Sequence, residues 1–524
     1  MKDTAKHSTI QAISTMMVIT FVGKILGLVR DQFLAGTYAV SMEADAFLTA
    51  SRIPRIFFDV VFASAISASF IPVFTEYLQK RGREEAFALS HRFITLIGLL
   101  SLLLTAAGMI FAPELTELFA DGFDAETAAL CTQLLRILFP ATFFTGLAFS
   151  FVGILQSMDE FNVPAAMSIA SNVVIIFYYI FFNDTFGVYG LAAAFLFGWA
   201  MQAIMQVPAL KKKHYYYRPR FDFRESGMKK ILTLMLPVMV STWVQPINLA
   251  VNTKYASRLM EGGGVSVVEY ANTIYSIVVG LLVLSIANVI FPKLSRMESS
   301  KEEGAFDDTV RRTIESMSFL LLPMTVGLMC LSLPVVQLIY QRGAFDQNAA
   351  QMTGGALFFF SLGMMGYGLQ TILSRAFYAK QKGKAPLISG LCSIGINLVL
   401  CAILSPRMGV EGLALSSSLS VTVSALLLVL PLERELHLLQ WPFIKELGKM
   451  LLASLGMGAV VYGALNGLEQ VLPAGFFGTL MAVGITAVLG ILLYAILTVV
   501  LRVNIAGMVL DMGRRKWKGK VEGE

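Results

Sequence analysis

Seven ionisable residues in two otherwise apolar stretches could do chemistry: Lys24, Arg30 and Asp31 in the first, Asp45, Arg52, Arg55 and Asp59 in the second. A charge at bilayer depth is costly, so it marks a ligand path or a structural pair. With about 100° per helical residue, Asp31, Gly27, Gly23 and Arg30 fall near −20°, −60°, −100° and −120° from Lys24. By the same rule Arg52, Asp59 and Arg55 fall on one side of the second helix, within about a quarter turn of Asp45. Each helix therefore carries one polar stripe. Four bases face three acids there, and the surplus positive charge needs solvent or an anion. Guanidinium groups bind phosphate oxygens two at a time, so the stripes point to a water-filled cavity for a phosphorylated ligand. The alternative is a set of internal salt bridges, such as Arg30 with Asp45, that pins the helices together.

The elements that must position these residues are membrane-spanning. The chain has 524 residues, 56% of them hydrophobic and 15% charged, with mean hydropathy +0.69. A soluble protein of this length carries about 25% charged residues. Fourteen stretches reach the roughly 20 residues a helix needs to cross hydrocarbon, the second running over 45–77. The predicted fold is an all-α polytopic membrane protein. Of its 41 Lys and Arg, 31 lie on the amino-terminal side, while loop 113–126 has five acids and no base. Basic loops stay cytoplasmic, so both termini are expected there.

A repeat organises the spans. Gly187-Val188-Tyr189-Gly190-Leu191-Ala192 returns as Gly409-Val410-Glu411-Gly412-Leu413-Ala414, and Pro164 returns as Pro386 at the same offset. Six spans bring the chain back to its starting side, so the halves are parallel repeats, with binding expected between them. The domains are then 1–215, 216–432, and 433–524, the last holding a helix pair and a basic tail. Arg136, Lys254, Arg375 and Asn252 are further intramembrane candidates for the cavity; Arg136 and Arg375 could equally pair with a helix end.

Other chemistry is not supported. The histidines, at 7, 91, 214 and 437, fall at the N-terminus or in loops without metal-ligand spacing, and no GxxxxGK loop cradles a nucleotide. A membrane glycosyltransferase would need a catalytic acid or metal site in a substantial loop, and none is present. The segment from Lys211 to Arg220 is basic with interleaved tyrosines. At the end of a span it reads as an anchor for anionic lipid headgroups, not as a nucleic-acid contact. Asp346 stands where a carboxylate would cap the tenth span.

Several motifs resemble one family. Gly27-Leu28-Val29-Arg30-Asp31, Asp45-Ala46-Phe47, Ile53-Pro54, Phe70-Ile71-Pro72-Val73-Phe74, Arg342-Gly343-Ala344-Phe345 and Phe377-Tyr378-Ala379-Lys380-Gln381 are similar, in order, to the MurJ (MviN) family of the multidrug/oligosaccharidyl-lipid/polysaccharide exporter superfamily. The resemblance implies a monomeric fourteen-helix flippase, not an enzyme, in the bacterial cytoplasmic membrane. Its cargo would be lipid II, the undecaprenyl-diphosphate-linked peptidoglycan precursor. It makes Arg30, Asp31 and Asp45 site residues, with Lys24 where many members have arginine. No cofactor is implied. Coupling to Na+, H+ or the membrane potential is, and Asn252 and Asn397 are candidate remnants of a sodium site. The chain departs from the family at Phe58, where members often have arginine, and at Tyr270-Ala271-Asn272-Thr273, which carries no positive charge. Arg52 and Arg55, one to two turns from Phe58, are candidates to compensate. A flippase for another polyprenyl-diphosphate glycan, or a cation-coupled multidrug exporter of the same superfamily, is the alternative.

Overall fold

The computed structural model describes residues 2–58, 66–242, 244–260, 262–300, 303–436, 440–473 and 475–507. Among the described residues every regular element is helical. The chain divides into two compact units, 1–266 and 267–524.

The first unit contains α1 (Lys2–Tyr38), α2 (Met42–Phe58), α3 (Ile71–Lys80), α4 (Arg83–Ile110), α5 (Ala112–Phe119), α6 (Ala125–Leu138), α7 (Ala141–Ser157), α8 (Asn162–Phe181), α9 (Asn183–Ile204), α10 (Val207–Lys212), α11 (Ser226–Thr242) and α12 (Val244–Ala256). Helix α13 (Gly264–Ser299) begins in this unit and continues into the second. There follow α14 (Glu303–Cys330), α15 (Ser332–Tyr340), α16 (Gln347–Ser361), α17 (Met364–Ala379), α18 (Lys384–Leu436), α19 (Trp441–Val471) and α20 (Phe476–Val500).

Eight of the described helices are long and apolar enough to cross a membrane, or ten with the two bent pairs α13 and α16–α17. Helix α18 holds two spans joined at a kink. Helices α2, α11 and α12, with 17, 17 and 13 residues, are too short to cross singly, so eight to ten of the fourteen expected spans are seen among the described residues.

The kinks show the repeat at backbone level. Gly187 in α9 has φ 53°, ψ −148°, and Gly409 in α18 has φ 60°, ψ −136°. Only glycine takes this conformation without strain, which explains why the motif opens with glycine in both halves. In the first half the Tyr178 hydroxyl donates to the Gly187 carbonyl at 2.6 Å, satisfying a backbone group that the kink releases from the helix.

In the first unit Phe70, just before α3, stacks on Phe74 of α3 and Phe93 of α4 with ring centroids 5.1 and 4.5 Å apart, and Ile154 and Leu155 of α7 complete this core. Residues 215–224, which form no regular element, cover it through Tyr215 and Phe223. The Ser90 hydroxyl donates to the Tyr215 hydroxyl, and His91 Nδ1 lies 3.1 Å from the same oxygen. Arg92 pairs with Glu225 at 3.0 Å. His91, expected in a loop, is buried in α4, because that helix starts at Arg83 and gains this strap as a cover. In the second unit Asp346 caps α16, accepting from the Ala349 amide at 2.8 Å. Tyr270, Tyr340 and Phe345 pack behind it.

Candidate functional site

Helices α1 and α8 approach closely because Gly23 and Gly27 face Ser168 and Asn172: a Cβ on Gly23 would come within 2.4 Å of Ser168 Oγ. That approach sets Arg30. Its Nε and Nη2 donate to Asp31 Oδ1 at 3.0 and 2.7 Å, and its Nη1 donates to Asn172 Oδ1 at 3.2 Å. The guanidinium also lies 5.4 Å from the Phe195 ring of α9. Asn172 in turn donates to the Gly23 carbonyl at 3.1 Å. The Arg30 side chain keeps 26% of its surface exposed, so the packing directs it without sealing it. Lys24, two turns earlier, is exposed.

On α2, Arg52 is half-buried and its Nη1 donates to Thr253 Oγ1 of α12 at 2.6 Å. Pro54 is buried and Arg55 exposed, so the two arginines flank a proline held in the interior. At 1.5 Å per residue, Arg30 and Arg52 lie about 12–15 Å from the α1–α2 turn, and Lys24 and Arg55 about 20 Å. The bases therefore form two tiers on adjacent helices. Asp59 lies outside the described residues.

Asp45 departs from its expected place in the basic stripe. It is 1% exposed and accepts from the amides of Gly263, Val265 and Ser266 at 2.8, 3.1 and 2.7 Å. Gly263, at φ +107°, has no side chain to cap α13, so Asp45 supplies the cap from α2. The pairing of Arg30 with Asp45 is replaced by these bonds.

The other intramembrane candidates are placed elsewhere. Lys254 and Arg258 share Asp121, at 3.2 and 2.6 Å, which ties the end of α12 to the turn after α5. A Cβ on Gly122 would meet the Arg258 backbone at 2.5 Å, and the Gly122 amide donates to Ser257 Oγ at 3.2 Å. Lys254 thus joins this closure and not the cavity. A cleft of about 310 Å³ beside it is lined by Thr116, Glu117, Asp121 and Phe123 and holds none of the tiered bases. Arg136 takes the helix-end alternative, with Nε donating to the Met109 carbonyl in the last turn of α4 at 3.3 Å. Arg375 lies 5.4 Å from the Phe291 ring. Asn252 and Asn397 are both buried, one in each unit.

The sequence profile described as "Lipid II flippase MurJ" matches residues 34–501. The chain belongs to the MurJ family. A "Probable lipid II flippase MurJ" of Vibrio cholerae is 30% identical over 459 residues, 85% of this chain and 86% of the relative. The solved structure "Lipid II flippase MurJ, inward closed conformation" is 26% identical with a TM-score of 0.79, covering 94% of this chain and 99% of that one. A multidrug resistance MATE family transporter of the MOP superfamily, in an inward-facing conformation, matches with a TM-score of 0.65 at 17% identity. It covers 81% of this chain and 98% of that one and shares the fold. MurJ membership makes the chain a multi-pass membrane protein. Its departures from the MurJ pattern lie at the end of α2, which closes on Phe58, and at Thr273 in α13. Sequence reasoning missed Asn172 and Thr253. The available signal was an amide or hydroxyl inside an apolar helix, which by itself is too common to select.

Proposed function

We propose that this protein is a lipid II flippase of the bacterial inner membrane, moving an undecaprenyl-diphosphate-linked glycopeptide from the inner to the outer leaflet. MurJ family membership supports the substrate. One observation carries the assignment to residues: Arg30 and Arg52, on helices that meet at one turn and at similar helical rise from it, are each oriented by an oxygen of another helix. A diphosphate offers several charged oxygens close together, which two preset guanidinium groups match.

Lys24 and Arg55 form the tier nearer the cytoplasm and draw the headgroup in; Arg30 and Arg52 then receive the diphosphate. The lobes 1–215 and 216–432 rock about it, and it leaves past the α1–α2 turn on the outer face, with both termini cytoplasmic. The polyprenyl tail stays in lipid or runs along the apolar outer faces of α19 and α20. Asp31 keeps Arg30 paired while the site is empty. Membrane potential biases the cycle by about 2.3 kcal/mol per elementary charge per 100 mV, with Na+ or H+ as a further drive. The exposed Tyr216 and Phe221, beside Lys211, Lys212, Arg218 and Arg220, hold anionic headgroups at the cytoplasmic surface. The protein acts as a monomer and catalyses no covalent step. A multidrug exporter is not favoured, because cationic drugs require an acidic surplus.

Vesicles holding purified protein and labelled lipid II test this. The parent chain should move label between leaflets, and Arg30→Ala should lower the rate about a hundredfold or more while remaining folded. Full transport by Arg30→Ala, or transport of a different polyprenyl-diphosphate glycan only, overturns the assignment. Imposed ion gradients and potentials identify the drive.

A further inference from the structure

We propose that Thr253 is a positioning residue: it aims Arg52 at the transported diphosphate without cancelling its charge. This rests on the reading of Arg52 as a phosphate-binding group. Thr253 lies in the last turn of α12 and is 2% exposed. Its hydroxyl donates to the Leu249 carbonyl, one turn back, at 3.0 Å. That bond occupies its one proton, so the oxygen lone pairs face Arg52 Nη1 at 2.6 Å. Arginine has only donors, so the direction of this bond is fixed.

The neutral acceptor matters. Asp31 orients Arg30 but brings an opposite charge. Thr253 supplies direction and brings no opposite charge of its own. The acceptor also opposes a repulsion, since Arg55 stands one turn along α2. Thr253 is itself held in place. The next residue, Lys254, reaches Asp121 at 3.2 Å, and Arg258 and Ser257 fasten the same end of α12 to residues 121 and 122. With the helices as they stand here, the oxygen belongs to a braced helix end, and a braced acceptor can hold a long side chain in one orientation at small further entropic cost.

The test measures lipid II translocation in vesicles against substrate concentration. Thr253→Val keeps the shape and removes the acceptor; KM should rise about tenfold, with kcat within about twofold of the parent. Thr253→Ser should restore KM. In an Arg52→Gln background, Thr253→Val should add nothing, because the two act through one bond. Melting in detergent checks that each variant folds, and Thr253→Cys, a poor acceptor, reads the same effect if valine does not fold. An unchanged KM for Thr253→Val, a deficit that serine leaves uncorrected, or an equal further loss in Arg52→Gln overturns the proposal. If Arg30→Ala is inactive while Thr253→Val transports normally, the flippase reading stands and only the role of Thr253 falls. If Arg30→Ala and Arg52→Gln both transport normally, the reading of the site itself fails.

Discussion

The buried acid and the half-buried bases of the first unit are anchored in opposite ways. Asp45 gives both oxygens to three backbone amides at the start of α13. Arg30 and Arg52 are held by side-chain oxygens of Asp31, Asn172 and Thr253. A carboxylate at a helix N-terminus meets amide donors and the positive end of the dipole, so its charge is consumed by the fold. The amide oxygen of Asn172 and the hydroxyl of Thr253 orient their guanidinium groups without bringing an opposite charge, whereas Asp31 brings one to Arg30. Polar residues at bilayer depth therefore divide into structural and ligand-binding groups by what neutralises them, and not by depth alone.

Breaking the acid should cost the most stability. Asp45→Ala leaves three amides unpaired in the interior and should destabilise the unit by about 3–5 kcal/mol, with Asp45→Asn intermediate. Melting in detergent measures this, and parent-like melting of Asp45→Ala would contradict the structural role. An intermediate effect is expected at Asn172, which serves both the Arg30 guanidinium and the Gly23 carbonyl. Asn172→Leu should slow transport about tenfold and lower stability by about 1–3 kcal/mol. Equal transport by parent and variant in labelled vesicles would show that Arg30 needs no help from α8.

The smallest effect belongs to the exposed pair at Asp121. The hydrogen bond from Arg258, with Lys254 adding to it, holds the Asp121 carboxyl below the usual carboxylate range. A depressed native pKa stabilises above the unfolded value of about 4 and loses that contribution as pH falls through the native value. Parent and Asp121→Asn should therefore differ by at most about 1 kcal/mol near neutrality and converge in acid. A gap that does not shrink as pH falls below the unfolded value would show that this closure rests on the Gly122–Ser257 bond and backbone packing instead of on charge.

Features repeating within a few residues were legible in the chain: the polar stripes of α1 and α2, the small pair Gly23 and Gly27, the Asp346 cap and the glycines that open the two kinks. Helical period and backbone sterics fix these locally, whatever surrounds them. Tertiary structure alone decided the partners. Asp45 meets Gly263 from 218 residues away, Arg30 meets Asn172 from 142, and Arg52 meets Thr253 from 201. A sequence states that a residue can donate or accept, but which oxygen stands within hydrogen-bonding reach depends on how helices distant in the chain pack. The same packing moved Lys254 to Asp121 and turned a loop histidine into a buried one beneath Tyr215.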